Sequence, residues 1–268
     1  MEILVKIFEF LDSDMETPQP YGWFHLAWFA VSVILAVFLC VTHKENSDKR
    51  LRRIVFGVAL TLFIMEIYKQ IVYSFSVSDG VLVFDYQWYI FPFQFCSVPI
   101  YIGLLTGVFK KGKVHEALCA FLATYALFAG VCVMLYPVTV FTSTIGVNIQ
   151  TMFCHGSMIT VGIYLLGSGY IKLRHKTVLG AMSVFAISMA CAIIMNELAY
   201  VGGITETETF NMFFISPHCD PSLPVYSIVQ EHVPYPFCMI IYYVAFSLAA
   251  YVILLIAMGI KKARSKNK

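Results

Sequence analysis

Seven apolar stretches, each about 20 residues or longer, constrain this chain more than any other feature. Only hydrogen-bonded helices and closed barrels cross a hydrocarbon core, and nothing here alternates like the strands of a barrel. Charged residues make up only 13% of the sequence, against about 25% in a soluble domain. We therefore predict an all-α polytopic membrane protein with seven transmembrane helices. The stretches are approximately 23–42, 54–74, 88–109, 117–136, 149–171, 178–201 and 237–260.

The basic residues predict the orientation, because Lys and Arg are retained on the cytoplasmic side. Sixteen of the eighteen fall in the first, third and fifth connecting segments and the C-terminal tail. The opposite side is acidic, with Lys6 as its only base. We predict an N-out, C-in multi-pass protein of the cell membrane. The sixteen are Lys44, Lys49, Arg50, Arg52, Arg53, Lys110, Lys111, Lys113, Lys172, Arg174, Lys176, Lys261, Lys262, Arg264, Lys266 and Lys268.

The simplest organisation is one seven-helix domain over 1–268, because the sequence contains no repeat, linker or low-complexity tract. Residues 1–22 form an outer interfacial segment, in which the first eleven residues have the apolar period of a surface helix. The Pro-rich stretch 202–236 is interpreted as an outer capping loop. Residues 261–268 form a basic cytoplasmic tail. No signal peptide is apparent at the start of the chain.

Six of the eight cysteines fall inside the spans, where cysteine is mostly a small packing residue. Cys119 and Cys132 lie on the fourth span with no histidine partner in this interpretation. Cys219 and Cys238 lie at the outer face, and both a disulfide and two free thiols remain open. No zinc-type spacing occurs, so we expect no metal and no cofactor. The net charge of +2 is too small to indicate a nucleic-acid partner.

Polar side chains of four spans are predicted to share one layer in the outer half of the bilayer. With a rise of 1.5 Å per residue they lie roughly 8 to 12 Å below the outer helix ends. Ionisable groups at such depth are costly and usually face the bundle interior. The layer contains Glu66, Lys69, Gln70, Gln94, Cys96, His155, Asn196 and Glu197.

Each member of the layer also has a purely structural interpretation. Glu66 and Lys69 are three residues apart, and can form an ion pair that fixes helix packing. His155 alone would be a satisfied core histidine, and Cys96 alone a small apolar filler. Together, a cysteine and a histidine at matched depth fit acyl transfer, with Cys96 as nucleophile and His155 as its base. The amides of Gln94 or Asn196 would then stabilise the oxyanion.

Several short motifs resemble the YwaF family of bacterial integral membrane proteins, which is similar to the animal membrane acyltransferase family of transmembrane protein 164. They are FHLAWF (24–29), FPFQFCSVPI (91–100), CHGSMITVGIYLL (154–166), NELAYVGG (196–203), FNMFF around Asn211 and VPYPF (233–237). The resemblance implies a seven-helix fold and a Cys and a His about sixty positions apart that transfer acyl groups on phospholipids. Cys96 and His155 match those positions.

The sequence departs from the family pattern at two places. Gln94 stands where a second histidine is common, and the segment between Asn196 and Asn211 is longer than the expected compact element. More distant relatives with threonine in place of the cysteine are lipid hydrolases. Bacterial members have no settled activity.

Three classes of function fit the sequence. The first is a lipid acyltransferase or esterase that uses Cys96 and His155, with Glu66, Lys69, Gln94, Asn196 and Asn211 as binding or supporting residues and a membrane phospholipid or other acyl lipid as partner. The second is a non-enzymatic small-solute carrier or receptor-like protein that uses the same polar layer. A purely structural or accessory membrane protein is the third interpretation.

Overall fold

The computed structural model describes residues 2–43, 48–137, 140–221, 223–224 and 226–266. Met1, Lys44 and Lys268, which enter the predictions above, lie outside these residues, as do 222 and 225 of the capping loop. The chain is 72% helical. The α-helices are α1 (Glu2–Leu11), α2 (Trp23–Val41), α3 (Asp48–Val72), α4 (Val98–Val108), α5 (Lys113–Phe121), α6 (Leu127–Leu135), α7 (Ile145–Gly167), α8 (His175–Val201), α9 (Tyr226–His232) and α10 (Tyr235–Lys266).

Within the described ranges, six helices are long and apolar enough to cross a membrane. They are α2, α3, α7, α8, α10 and a continuous helix over Lys113–Leu135, in which a π-helical segment (Leu122–Ala126) joins α5 to α6. The six correspond to six of the seven predicted stretches. This confirms an almost all-α chain with multiple apolar helices of membrane-spanning length.

The third predicted stretch, 88–109, is not one continuous helix, which corrects that expectation. A 3-10 turn (Trp88–Ile90) is followed by turns over 91–97 and then by α4. Pro92 lacks an N–H and disfavours helix at the residue before it. Pro99 lies in the first turn of α4, where its missing N–H costs nothing. The two prolines therefore divide this stretch just where Cys96 lies.

The helix that carries His155 is at the centre of the bundle. Over an 18-residue apolar stretch of each span, 67% of α7 and 72% of the α5–α6 helix is buried, against 17–33% of the other four spans. The backbones approach closely, since a Cβ at Gly130 of α6 would lie 2.8 Å from the carbonyl oxygen of His155. On the other side, Thr160 of α7 donates to the carbonyl of Ser32 on α2 at 2.9 Å. Packing on both sides fixes the rotation of α7.

The N-terminal segment is helical, as its period predicts, and packs at one end of the bundle. Tyr68 of α3 donates to the carbonyl of Leu11 at 2.7 Å, and the ring of Phe8 lies 6.4 Å from that of Phe75. Phe75 begins an antiparallel hairpin of β1 (Phe75–Ser78) and β2 (Val81–Phe84). Most large apolar side chains of α1 and the hairpin stay exposed, which suits a location at the membrane surface.

All eight cysteines are free thiols, including Cys219 and Cys238. The thiol of Cys219 donates to the carbonyl of Phe210 at 3.3 Å, and that of Cys238 to the carbonyl of Val233 at 3.0 Å. The structure therefore favours the free-thiol alternative at the capping loop.

Candidate functional site

A buried carboxylate, Glu66, is the centre of the polar layer. Its Oε1 accepts from the ammonium of Lys69 at 2.8 Å and from Gln70 at 3.0 Å. Its Oε2 accepts from Gln150 of α7 at 3.1 Å. Glu66 and Lys69 therefore pair as their spacing predicts. Gln150 was missed, although it lies one helical turn before Cys154 and so shares a face of α7 with it.

Gln70 connects this cluster to residues 88–97, the first part of the broken stretch 88–108. Its amide nitrogen donates to the carbonyl of Ile90 at 3.0 Å, and its oxygen accepts from the hydroxyl of Tyr86 at 2.7 Å. Burial first, and then the Glu66 carboxylate, raise the pKa of Tyr86, which keeps this hydroxyl protonated as a donor. The turn that precedes Cys96 is thus attached to α3.

Cys96 lies in the non-helical turn two residues before α4. The carbonyl of Gln94 accepts the N–H groups of Ser97 at 2.8 Å and Val98 at 3.2 Å, which closes the turn. The hydroxyl of Tyr101 donates to the carbonyl of Pro92 at 2.7 Å. Cys96 is half-buried and follows the bend at the N-terminal end of a helix, where the dipole favours negative charge.

His155 is 6% exposed and its orientation is fixed by its own helix. Its Nδ1 lies 2.8 Å from the carbonyl oxygen of Thr151. A carbonyl only accepts, so Nδ1 carries the proton, and in the neutral ring Nε2 keeps a free lone pair. His155 therefore has the tautomer that a general base requires.

α7 meets the turn of Cys96 at the residue before His155. The thiol of Cys154 donates to the carbonyl oxygen of Cys96 at 3.6 Å. The structure thus brings the two predicted site segments into contact through Cys154. In the described parts of the chain no hydrogen bond joins the side chains of Cys96 and His155 themselves.

Gln94 and Asn196 both bind the backbone of the capping loop. The amide of Gln94 donates to the carbonyl of Asn211 and accepts the N–H of Phe213, each at 3.0 Å. Asn196 donates to the carbonyl of Met212 at 3.1 Å and accepts its N–H at 2.7 Å. Both amides therefore hold the loop, and the predicted oxyanion role does not match these contacts.

The loop backbone at this point is in a conformation that residues other than glycine rarely adopt. Phe213 and Phe214 have φ of 61° and 58°, in the left-handed region. Tyr242 of α10 donates to the carbonyl of Phe213 at 3.0 Å, and the Asn211 side chain accepts the N–H of Ser216 at 2.8 Å. Such strain persists only where the surroundings impose it. Four polar side chains thus hold the loop in place beside the Cys96 turn.

A second cysteine and histidine lie together elsewhere, which corrects the expectation that Cys119 has no such partner. The thiol of Cys119 lies 3.4 Å from Nε2 of His115, which is 2.7 Å from the hydroxyl of Tyr170. Tyr170 donates its proton to Asp48, so its oxygen accepts from Nε2 of His115. Nε2 therefore already carries a proton and cannot take one from Cys119. Both side chains are fully buried, so we do not assign this pair to catalysis.

A lateral cleft of about 260 Å³ opens beside Glu66 between α3, the hairpin and the broken stretch. Glu66 and Gln70 provide its polar wall. The remaining wall is mainly apolar, and its residues include Phe63, Ile67, Ile71, Phe75, Phe84 and Pro92.

A family model described as the TMEM164 family matches residues 17–258. The chain belongs to the TMEM164 family. This confirms the resemblance to relatives of transmembrane protein 164, and the TMEM164-family region contains every residue of the candidate site. Searches of curated proteins and of solved structures gave no match.

Proposed function

We propose that this TMEM164-family protein is a membrane-embedded lipid acyltransferase or esterase with Cys96 as nucleophile and His155 as base. The contact between Cys154 and the carbonyl of Cys96 carries the proposal, because it places the helix turn of His155 against the turn of Cys96. The tautomer of His155 supports it, since Nε2 is the nitrogen left free to accept a proton. Cys119 lacks such a base.

The reaction proceeds in two steps. The Cys96 sulfur bonds to the carbonyl carbon of a lipid ester while its proton passes to Nε2 of His155. The ester C–O bond breaks, His155 returns the proton to the leaving alkoxide, and a lysolipid and a Cys96 thioester result. A hydroxyl of a second lipid, or water, then attacks the thioester with His155 as base, which regenerates the thiol.

The turn before α4 supplies an oxyanion donor in this proposal, in place of the Gln94 and Asn196 amides. Within the described residues, the backbone N–H of Cys96 donates to no backbone carbonyl. It lies at the N-terminal end of α4, where aligned peptide dipoles favour negative charge. Backbone donors at such a position stabilise a tetrahedral oxyanion most effectively in a site that excludes water.

The lateral cleft supports a lipid substrate. Its mostly apolar wall suits an acyl chain, and Glu66 and Gln70 provide polar groups on that wall. A substrate that arrives from the bilayer needs such a lateral opening.

The proposal includes the topology of seven crossings, N-out and C-in, in the cell membrane. In it, residues 88–108 form a broken third crossing, and the Cys96 turn lies in the outer half of the bilayer. The segregation of basic residues supports this orientation.

A small-solute carrier is the second candidate, because the broken stretch 88–108 is a feature of transporter sites. Discontinuous helices there coordinate solutes with free backbone groups. The buried ion pair of Glu66 and Lys69 would then bind the solute. Transporters usually carry such breaks in two related halves, and the sequence contains no internal repeat.

An acyl-transferring activity probe distinguishes the two candidates. Purified protein is incubated with a thioester-forming lipid probe, and the labelled residue is identified by mass spectrometry. We expect label on Cys96 and its loss in Cys96→Ala, with Cys132→Ala as the matched control that keeps it. Label on Cys119, or label that survives Cys96→Ala, would remove the proposed nucleophile.

A further inference from the structure

A cavity of about 430 Å³ lies in the capping loop, apart from the lateral cleft. It is lined by the segment 216–221, α9 and the beginning of α10. Polar side chains provide much of its wall. They are Ser216, His218, Asp220, Gln230 and Tyr235.

Unpaired polar atoms surround this cavity. Among the described residues, the Gln230 side-chain oxygen and the Tyr235 hydroxyl have no hydrogen-bond partner, although both atoms are buried and both residues line the cavity. Tyr226 is 94% buried, and its hydroxyl likewise finds no partner in the described part of the chain. Tyr226 lies near Tyr235 and Cys238 of the cavity wall. Burial, and then these two neighbours, raise the pKa of Tyr226, so its hydroxyl stays protonated. Buried polar groups without partners are rare, which indicates that a ligand supplies the missing partners.

The charge around the cavity disfavours an anionic ligand. The sequence contains no Lys or Arg from 177 to 260, so neither the loop nor the ends of α8 and α10 that adjoin it carry one. Asp220 lines the cavity, and the carboxylate of Glu197 accepts from His218 of its wall at 3.1 Å. A phosphate or carboxylate group would find no Lys or Arg there, a histidine that already pairs with Glu197, and the like charge of Asp220.

The unpaired atoms distinguish a hydroxyl ligand from an amine. Gln230 offers an oxygen that only accepts, whereas the Tyr226 and Tyr235 hydroxyls each have a proton to donate. An ammonium group donates but cannot accept, so it would leave the tyrosine protons unpaired. Neighbouring hydroxyls of a polyol both donate and accept, and so can pair with all three.

We propose that this cavity binds a neutral, hydroxyl-rich group such as a sugar or glycerol. The role of that group rests on the proposed function. The group would be the headgroup of the lipid that donates or accepts the acyl chain. The cavity is connected to the candidate site through the loop backbone. Ser216 of its wall donates to the side chain of Asn211, and the carbonyl of Asn211 accepts from Gln94, two residues before Cys96.

Binding can be measured without turnover in the full-length Cys96→Ala protein. Native mass spectrometry would compare monoglucosyl diacylglycerol, diacylglycerol and phosphatidylethanolamine at equal concentration. We expect the glucolipid to bind about 3- to 10-fold more tightly than diacylglycerol, as one or two hydrogen bonds imply. Gln230→Leu and Tyr235→Phe should each remove this preference, and the matched control Tyr251→Phe on the distant part of α10 should retain it.

Soluble competitors separate the two sources of the hydroxyl group. If methyl glucoside displaces the glucolipid and ethanolamine does not, the cavity binds a free polyol as well as a headgroup. If neither displaces it, the cavity binds the hydroxyl group only as part of the lipid. Either result supports a hydroxyl site. Equal binding of phosphatidylethanolamine, competition by ethanolamine, or a preference that persists in both variants would overturn it. Because the binding assay uses the Cys96→Ala variant, its result does not depend on whether Cys96 is the nucleophile.

Discussion

The side-chain amide of Gln150 on α7 donates to the buried carboxylate of Glu66 on α3 at 3.1 Å. This bond crosses the bundle at the level of the candidate site, and it adds to the two donors that α3 itself provides, Lys69 and Gln70. The charge of Glu66 is therefore neutralised by one cation and hydrogen-bonded by two amides. Helix packing and the electrostatics of the site depend on the same group.

Removal of Lys69 should destabilise the fold more than removal of both charges. Lys69→Met leaves a buried carboxylate without its cation, at a cost of about 3 kcal/mol. The double variant Glu66→Gln, Lys69→Met removes the charge as well and should recover at least half of that loss. Thermal unfolding in one detergent provides the comparison. If the single and double variants unfold together, the two charges do not stabilise each other.

Gln150→Leu should cost about 1.5 to 3 kcal/mol, the usual value of a hydrogen bond to a charged group. Gln87→Leu is the matched control, because the Gln87 side chain makes only a long 3.4 Å bond to Asp85 in the described structure. Unfolding midpoints of the two variants should differ clearly. Equal midpoints would mean that Gln150 contributes nothing to the packing of α7 on α3.

Hydropathy and spacing predicted the features that depend on local pattern. Six spans follow from the length of their apolar stretches, and α1 from its helical period. Glu66 and Lys69 pair because residues three apart share a helical face. The hairpin also had a local signal that the sequence interpretation did not use, since Asp79 and Gly80 separate two short apolar strands.

Features that depend on distant parts of the chain had no such signal. The contact of Gln94 with Asn211 joins residues 117 positions apart, and nothing near either residue indicates the other. A hydropathy profile does not show the break at 91–97, because most of these residues are apolar. Only Pro92 and Pro99 indicate it, and proline is common in transmembrane helices. Cys119 and His115 are four apart, a helical spacing that the sequence interpretation overlooked.

Asn196→Leu should release the segment 211–216 without disturbing the spans. This change removes both hydrogen bonds to Met212, and the left-handed backbone at Phe213 then has fewer constraints. Hydrogen exchange should rise about tenfold in this segment, as the loss of roughly 1.4 kcal/mol implies.

Asn148→Leu is a matched control for that experiment, because Asn148 binds the backbone of Thr142 with both atoms of its amide in the same way. It should speed exchange near Thr142 and leave 211–216 unchanged. Unaltered exchange at 211–216 in Asn196→Leu would show that the loop is held by other contacts.

Tag accessibility tests the proposed orientation. A tag inserted near Glu206 should react with an impermeant reagent in intact cells, and one placed after Lys268 should react only after the membrane is permeabilised. The expectation follows from the basic residues, which gather on one side of the spans. Reaction of both tags from outside would imply an even number of crossings between them and would remove the seven-span topology.

Cys96 and His155 should behave as one unit in kinetics. If His155 activates the thiol, Cys96→Ala and His155→Ala each abolish the same step, so the double variant should be no slower than either single variant. Lipid acyl transfer or hydrolysis is measured for the three variants and for Cys132→Ala, which should keep wild-type rates. A carrier predicts the reverse pattern, in which Cys96→Ala preserves transport while changes to His155, Glu66 or Lys69 impair it. Full lipid activity in Cys96→Ala would exclude the covalent mechanism, and independent losses that multiply in the double variant would separate His155 from the nucleophile.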